Sequence, residues 1–342
     1  MRFLIVNILF SGVLALFFSA SLKEKTEYTL AFYNVENLFD TINDPLKMDE
    51  EFLPQGKYRW SSKRYQTKVR NLARVIEELG GGSGPDIIGI CEAENKQVLQ
   101  DVFSREGLAA GAYKVIQYNS SDRRGVDVAL AYKSSVFKPF ASRPYSVKSL
   151  KDVKWNTRDL LLVSGKISAD TVHILVNHWT SRRGGQKETA PKRIILARLA
   201  RKIVDSLQTS SPKAKIIIMG DFNDEPGDLS LSRYLGCTDQ LPLKKGQIYN
   251  SFITLEKEGK GTVKFQKSWD MFDQIMISGG LLESSSLRYK DYSKGILDLD
   301  WMHYKNVKAN VPFRTYQGSK YLGGFSDHLP VYIKLVGGHL SP

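Results

Sequence analysis

Asp221-Phe222-Asn223 follows directly on the apolar run Lys215-Ile216-Ile217-Ile218-Met219-Gly220, so a carboxylate and a carboxamide stand where a buried strand ends. Taken singly, such a pair is an ordinary turn or helix cap, because both side chains bond readily to nearby backbone N–H groups. The arrangement recurs, however. Leu30-Ala31-Phe32-Tyr33 runs into Asn34-Val35-Glu36-Asn37, Asp86-Ile87-Ile88-Gly89-Ile90-Cys91 into Glu92, and Thr171-Val172-His173-Ile174-Leu175-Val176 into Asn177-His178. Ser326-Asp327-His328 precedes a further run, Pro330-Val331-Tyr332-Ile333-Lys334-Leu335. Side chains at strand ends share one rim of a sheet, where residues distant in sequence converge. Carboxylates and amides beside histidines, without a cysteine cluster, suit Mg²⁺, Mn²⁺ or Ca²⁺ better than a thiolate zinc site. Such a set can supply what phosphate ester cleavage needs: an attacking oxygen, neutralised phosphoryl charge and a stabilised leaving oxygen.

The elements that must position these groups are legible from periodicity. Ser61 to Leu79 carries Val69, Leu72, Val75, Ile76 and Leu79 at helical spacing, and the run Gly80-Gly81-Gly82-Ser83-Gly84-Pro85 stops it. Ala190 to Leu207 gives a second amphipathic helix, with Ile194, Ile195, Leu199 and Ile203 as its apolar stripe. Its bases Lys192, Arg193, Arg198, Arg201 and Lys202 read as a solvated face. Further strands are expected at Tyr113 to Gln117, Val126 to Tyr132, Leu160 to Ile167 and Phe272 to Ile277. Several are separated by turns rather than helices, which favours antiparallel pairing over a doubly wound sheet.

With 342 residues and 42% hydrophobic content, the chain can bury one large core. The motifs are spread from end to end without a linker-like stretch, so one catalytic domain is expected over residues 22–342. Residues 4 to 20 are almost wholly apolar after Arg2, and the small residues Ser19, Ala20 and Ser21 precede the first later charge at Lys23. Residues 1–21 therefore read as a signal peptide and the protein as exported, periplasmic or extracellular, with a membrane anchor as the alternative. Cys91 and Cys237 read as two separate thiols rather than a disulfide. The formal charge of +13 attracts polyanions. Arg158, Arg182 and Arg183 are candidate phosphate clamps, since a guanidinium grips phosphate in bidentate fashion. Between Leu287 and Phe325, aromatic residues interleave with bases; this segment either packs onto the body or stacks nucleic-acid bases. Nothing in the sequence points to a protein partner.

In order along the chain, Asn34-Val35-Glu36, Glu92, Asn177-His178, Gly220-Asp221-Phe222-Asn223, Phe272-Asp273-Gln274-Ile275 and Ser326-Asp327-His328 resemble the motifs of the endonuclease/exonuclease/phosphatase superfamily, the deoxyribonuclease I-like group. The resemblance spans about residues 28 to 337 and is strongest to secreted bacterial members. It implies an α/β fold: a four-layer sandwich of two packed, largely antiparallel β-sheets flanked by helices. It also implies a divalent metal, Mg²⁺ foremost with Mn²⁺ or Ca²⁺ as substitutes. Glu92 is then the principal ligand, with Glu36, Asp327 and Asn34 beside it. Families of this kind often carry Asp where Glu36 stands here. Asp221 corresponds to the residue that prepares the attacking water and Asn223 to one that contacts the scissile phosphate. His178 and His328 are the two site histidines, and Asp273 holds one of them. The activity implied is phosphodiester hydrolysis, with DNA or RNA as the expected substrate. A phospholipid enzyme of the sphingomyelinase kind, an inositol-phosphate phosphatase and an inactive nucleic-acid-binding protein are the alternatives.

Overall fold

Continuous apolar runs, rather than alternating ones, mark strands covered on both faces, and the fold supplies both covers. In the computed structural model, residues 27–150, 153–265, 268–305 and 311–337 are described; the segment read as a signal peptide lies outside them. Eight longer strands come first along the chain: β1 (Glu27–Leu38), β2 (Ile87–Ala93), β3 (Tyr113–Gln117), β4 (Asp127–Lys133), β5 (Phe137–Tyr145), β6 (Leu160–Ile167), β7 (Asp170–His178) and β8 (Lys215–Asp221). Among the described residues they build two seven-stranded sheets, completed by shorter strands. The first sheet runs Arg288–Tyr289, Val331–Val336, β1, β2, β4, β3, with Gly295–Ile296 also on Val331–Val336. The second runs β5, β6, β7, β8, Asp273–Ile277, Ile248–Tyr249, Cys237–Thr238. β1 pairs parallel with β2, β7 with β8, and Ile248–Tyr249 with Cys237–Thr238; the other pairings in these two sheets are antiparallel.

Period-two alternation sorts each strand between two cores. Phe32 of β1, Ile87 of β2 and Leu130 of β4 meet Val163, Ile174 and Met219 between the sheets. Their neighbours Tyr33, Ile88 and Ala131 face outward and are covered by helix α1 (Ser62–Glu78) through Val69, Leu72 and Ile76. On the far side Leu175, Ile216 and Ile218 take Leu196, Leu199 and Ile203 of the long helix Gln186–Ser210. The order is helix, sheet, sheet, helix, as the resemblance implies. Burying each such side chain stabilises the fold by about 1.5–3 kcal/mol, so the layers hold the site's strands rigidly.

Several elements lie beyond what the sequence indicated. Helix α2 (Lys96–Phe103) is capped by Asn95, whose side chain accepts from the Val98 N–H. Strand β5 is an edge strand with Pro139 and Pro144, mostly open to solvent, so it lacks an apolar signal. The long helix begins at Gln186, four residues ahead of expectation and through Pro191. Its Arg193 is fully buried with Nε 2.7 Å from Asp224 Oδ1, so the expectation that this base belongs to a solvated face is corrected. Cys91 and Cys237 are both buried free thiols.

Candidate active site

Register alone brings three of the candidate side chains together. His178 at the end of β7 is the Cα partner of Asp221 at the end of β8, and Asp221 is in turn the partner of Asp273 on the next strand. Gly220 makes the first pairing close enough: a Cβ there would lie 2.5 Å from the Asn177 carbonyl oxygen. Asn177 is wholly buried and structural, donating to the Leu175 and Met219 carbonyls and accepting from the Trp179 indole. From the opposite sheet Asn34 donates Nδ2 to Asp221 Oδ2 at 3.0 Å, which joins the two sheets at this rim.

Both strands of the first sheet break register where their site residues emerge. Between Asn34 and Leu38, β1 carries extra residues against β2, and between Cys91 and Ala93, β2 carries one against β4. Glu36 (φ 49°), Asn37 (φ 51°) and Glu92 (φ 65°) adopt the left-handed region in these bulges, and Asn223 (φ 50°) does so after β8. A non-glycine residue there costs of order 1 kcal/mol or more, and such positions concentrate where side chains must be re-aimed. The Asn37 N–H closes the arrangement by donating to Glu92 Oε2 at 3.0 Å.

The two histidines are opposites. Asp273 Oδ2 lies 2.7 Å from His328 Nδ1; burial alone would pull the imidazole's pKa down, but the charge and hydrogen bond of Asp273 outweigh it and hold the pKa well above the usual value. His178 is driven well below the usual value, first by burial and then by the charges of Arg158, Arg124 and His328. His178 is therefore a neutral ring. Its Nε2 stands 3.6 Å from Asp221 Oδ2 and 3.8 Å from Glu92 Oε1, beyond direct hydrogen bonds and, with the ring neutral, not ion pairs. Burial pushes Asp221 up to about 7 against the charge of His328, whose Nε2 is 3.9 Å from Oδ2. Asp221 Oδ1 accepts the Asn223 N–H at 2.9 Å, fixing the carboxylate plane.

The expected metal ligands are differently placed. Glu36 is buried, which raises its pKa, and it accepts the Thr315 N–H at 2.6 Å; Lys68 Nζ is 3.7 Å away and Arg314 Nε 3.4 Å. Arg314 also donates Nη2 to Asp327 Oδ2 at 2.7 Å, bridging the two carboxylates. Arg314 and Lys68 both sense Glu92 as well as Glu36 and Asp327, so three carboxylates surround two cations. Among the described residues, the donor groups lying within 4.8 Å of one another are instead Asp221, Asp273 and His328, and Cys91, His178 and Asp221. In the second group burial keeps the Cys91 thiol protonated, which makes it a poor ligand. In the first, the donors are engaged with one another. Glu92 Oε1 accepts no hydrogen bond among the described residues; Glu36, Glu92 and Asp327 offer only oxygen donors, the kind a hard divalent cation takes, but they are not among the groups that lie within 4.8 Å of one another.

The candidate clamps are largely engaged. Buried Arg158 donates Nη1 to Asp122 at 3.1 Å and Nη2 to the Trp179 carbonyl at 2.5 Å. That carbonyl also accepts Asn223 Nδ2 at 3.1 Å. Arg182 donates Nε to the Asn223 carbonyl and Nη2 to Asp228, and its guanidinium lies 4.6 Å from the Phe272 ring centroid. Arg183 is exposed. The aromatic segment packs mainly inward: Tyr289 and Tyr316 are buried, Trp301 and Phe313 lie against Phe325, and Tyr292 stands open. Lys68 is the neighbour of these carboxylates that sequence reasoning passed over, and Arg314 was read only as one base of the aromatic segment. Lys68 left a signal, because it occupies the same helical stripe as Tyr65 and Leu72.

The sequence profile described as the endonuclease/exonuclease/phosphatase family matches residues 29–336. The chain belongs to this family. Among curated proteins none matches it. Solved structures share its fold: D. rerio TDP2 in complex with a single-stranded DNA product (16% identity, TM-score 0.55, covering 91% of this chain and 99% of that one). An endonuclease/exonuclease/phosphatase family protein of Bacteroides thetaiotaomicron gives 20% identity and TM-score 0.54 over 92% of this chain and 99% of its own. The mannosyl-6-phosphatase of the same organism gives 20% and 0.53 over 90% and 99%. Family membership makes the chain a hydrolase of phosphoric esters, and its rim holds acidic and histidine groups able to bind a metal.

Proposed function

We propose that the protein is an exported, Mg²⁺-dependent phosphodiesterase that cleaves DNA or RNA. The observation that supports this most is geometric: Asp221 lies between Asn34, His178 and His328 at a junction of both sheets, with Glu92 opposite. An ion held by Glu92 with Glu36 and Asp327 would neutralise charge on the phosphoryl oxygens. Asp221 takes the proton of the attacking water, since burial has brought its affinity near neutral pH. Asn34 and the Asn223 N–H orient its two oxygens for that transfer. His328, kept cationic by Asp273, donates Nε2–H toward a phosphoryl oxygen, and neutral His178 does so from the other side. Asn223 spends one amide hydrogen on the Trp179 carbonyl and keeps the other for phosphate. Arg158 and Arg182 brace this loop through the Trp179 and Asn223 carbonyls, whereas Arg183 is exposed and has no ion pair among the described residues.

The deciding experiment incubates mature protein with plasmid DNA, RNA, sphingomyelin, inositol phosphates and sugar phosphates, with Mg²⁺, Mn²⁺, Ca²⁺ or EDTA. Strand cleavage that EDTA abolishes is expected. Turnover of a lipid or a phosphomonoester without any strand cleavage overturns the substrate assignment. Export is tested by intact mass of protein from its native host, where removal near Ala20 or Ser21 is expected and retention of Met1 refutes it.

A further inference from the structure

Beside the catalytic rim a groove of about 400 Å³ is lined by Asp122, Arg123, Arg124, Lys154, Trp155 and Asn156, of which only Arg124 entered the chemistry above, through the effect of its charge on His178. Its charge is one-sided. Asp122 is the lone carboxylate, and its oxygens already face Arg158 (3.1 Å) and Arg124 (3.5 Å). Arg123 and Lys154 are exposed and form no ion pair among the described residues, and half of the Arg124 side chain is open. A guanidinium or ammonium left without a carboxylate, next to others of like charge, stabilises nothing in the fold.

The groove is also pre-shaped. Asp122 Oδ1 accepts the Arg124 N–H at 2.8 Å and the Arg123 carbonyl accepts the Met48 N–H at 2.7 Å, so the loop's backbone is tied at both positions. On the facing loop, Trp155 is half-buried against the helical layer, with Lys192 Nζ 5.5 Å from its ring centroid. The floor leads to the reacting groups by three hydrogen bonds: Asp122 accepts from Arg158, and Arg158 shares the Trp179 carbonyl with Asn223.

We propose that this groove is the track for a single nucleic-acid strand running out of the active site, with its phosphates on Arg123, Arg124 and Lys154 and a base against Trp155. Cations along a groove with an aromatic side chain in its wall are what a flexible polyanion with stacking bases requires, and they read no sequence. A single phosphate or a sugar phosphate would need converging donors, whereas these cations are spread over two loops. The inference rests on the nuclease reading above and deepens it.

The test separates the two. Binding of a short phosphorothioate DNA strand is followed by fluorescence anisotropy in EDTA, from about 50 to 300 mM salt, for wild type, R123A/K154A, R123Q/K154Q and W155A, with melting curves to confirm folding. Each lost phosphate contact flattens the log–log salt slope by about 0.7, so the double variants should lose about 1.4. W155A should weaken binding roughly tenfold with the slope kept. Equal slopes in wild type and both double variants, or no binding by wild type, overturn the track. Steep salt-dependent binding by wild type without strand cleavage in Mg²⁺ leaves the track standing and overturns the nuclease reading.

Discussion

Asp273→Asn isolates one interaction with little change of shape. The wild-type carboxylate is fully buried, its Oδ2 has His328 Nδ1 at 2.7 Å, and its Oδ1 has no partner. An amide keeps an oxygen for that N–H and loses only the charge. A hydrogen bond to a charged group contributes about 1.5–3 kcal/mol, and the imidazolium loses that support in the variant. Burial, which opposes the imidazolium, then works against only the through-space charges of Asp221, at 3.9 Å, and Asp327, neither of which replaces the bond. In metal-free protein, heteronuclear NMR should show the His328 titration moved down. The stability consequence has a definite sign. Because the folded pKa of His328 is raised, its contribution is fully present below about pH 6.5, the unfolded value, and is lost as pH rises through the folded pKa. The melting temperature of the variant should therefore fall furthest below wild type in acid, with the gap closing at alkaline pH. Turnover at neutral pH should drop about 10–100-fold, less than the ~10²–10³ that removal of a whole transition-state donor costs, because His328 itself stays in place. An unchanged His328 titration in a folded variant would refute the argument, because burial would then not be what Asp273 overcomes.

Other substitutions address the remaining groups. Glu92→Gln should abolish metal-dependent turnover while leaving the melting temperature in EDTA nearly unchanged, since the amide still accepts the Asn37 N–H; near-normal turnover would remove Glu92 from the ligand set. Arg314→Gln takes away the guanidinium that bridges Glu36 and Asp327, so calorimetry should show Mg²⁺ binding about tenfold tighter. Weaker binding would mean that Arg314 holds the carboxylates in place rather than competing for them. Lys68→Met strips Glu36 of a buried partner while Thr315 Oγ1 and the Phe325 carbonyl lose their donor, for a loss of about 3–5 kcal/mol by chemical denaturation. A loss below about 1 kcal/mol would show that the pair contributes little.

How far the fold could be read depended on how each strand is covered. The strands β1, β2, β7 and β8 are apolar on both faces because helices cover the outer side of each sheet, and their runs stand out in the sequence. Strand β5 sits at an edge with two prolines and few buried residues, so no periodicity reveals it. Helix α2 is only eight residues long, too short for a stripe to separate from its surroundings without the Asn95 cap as a guide. The long helix starts ahead of the sequence reading and runs through Pro191 in its second turn, where the proline removes one backbone hydrogen bond without ending the helix.

The candidate site was legible where chemistry sits on strand ends and illegible where it depends on what a side chain meets in space. Asp221, His178 and Asp273 occupy adjacent registers, so their convergence follows from strand order once the sheet exists. Glu36 and Glu92 are visible as carboxylates after apolar runs, but the bulges that turn them toward the rim leave no composition signal. The arginines show the limit most directly. Arg182 stands beside a site histidine in sequence, yet its guanidinium is taken up by Asp228 and the Asn223 carbonyl. Arg314 lies in a segment without an apolar pattern, yet it touches two candidate ligands. Sequence counts positive charges, whereas electrostatic function depends on which are already neutralised at contact distance. That is why Arg123 and Lys154, unremarkable in sequence and without an ion pair among the described residues, are better placed to meet a polyanion than the arginine beside His178.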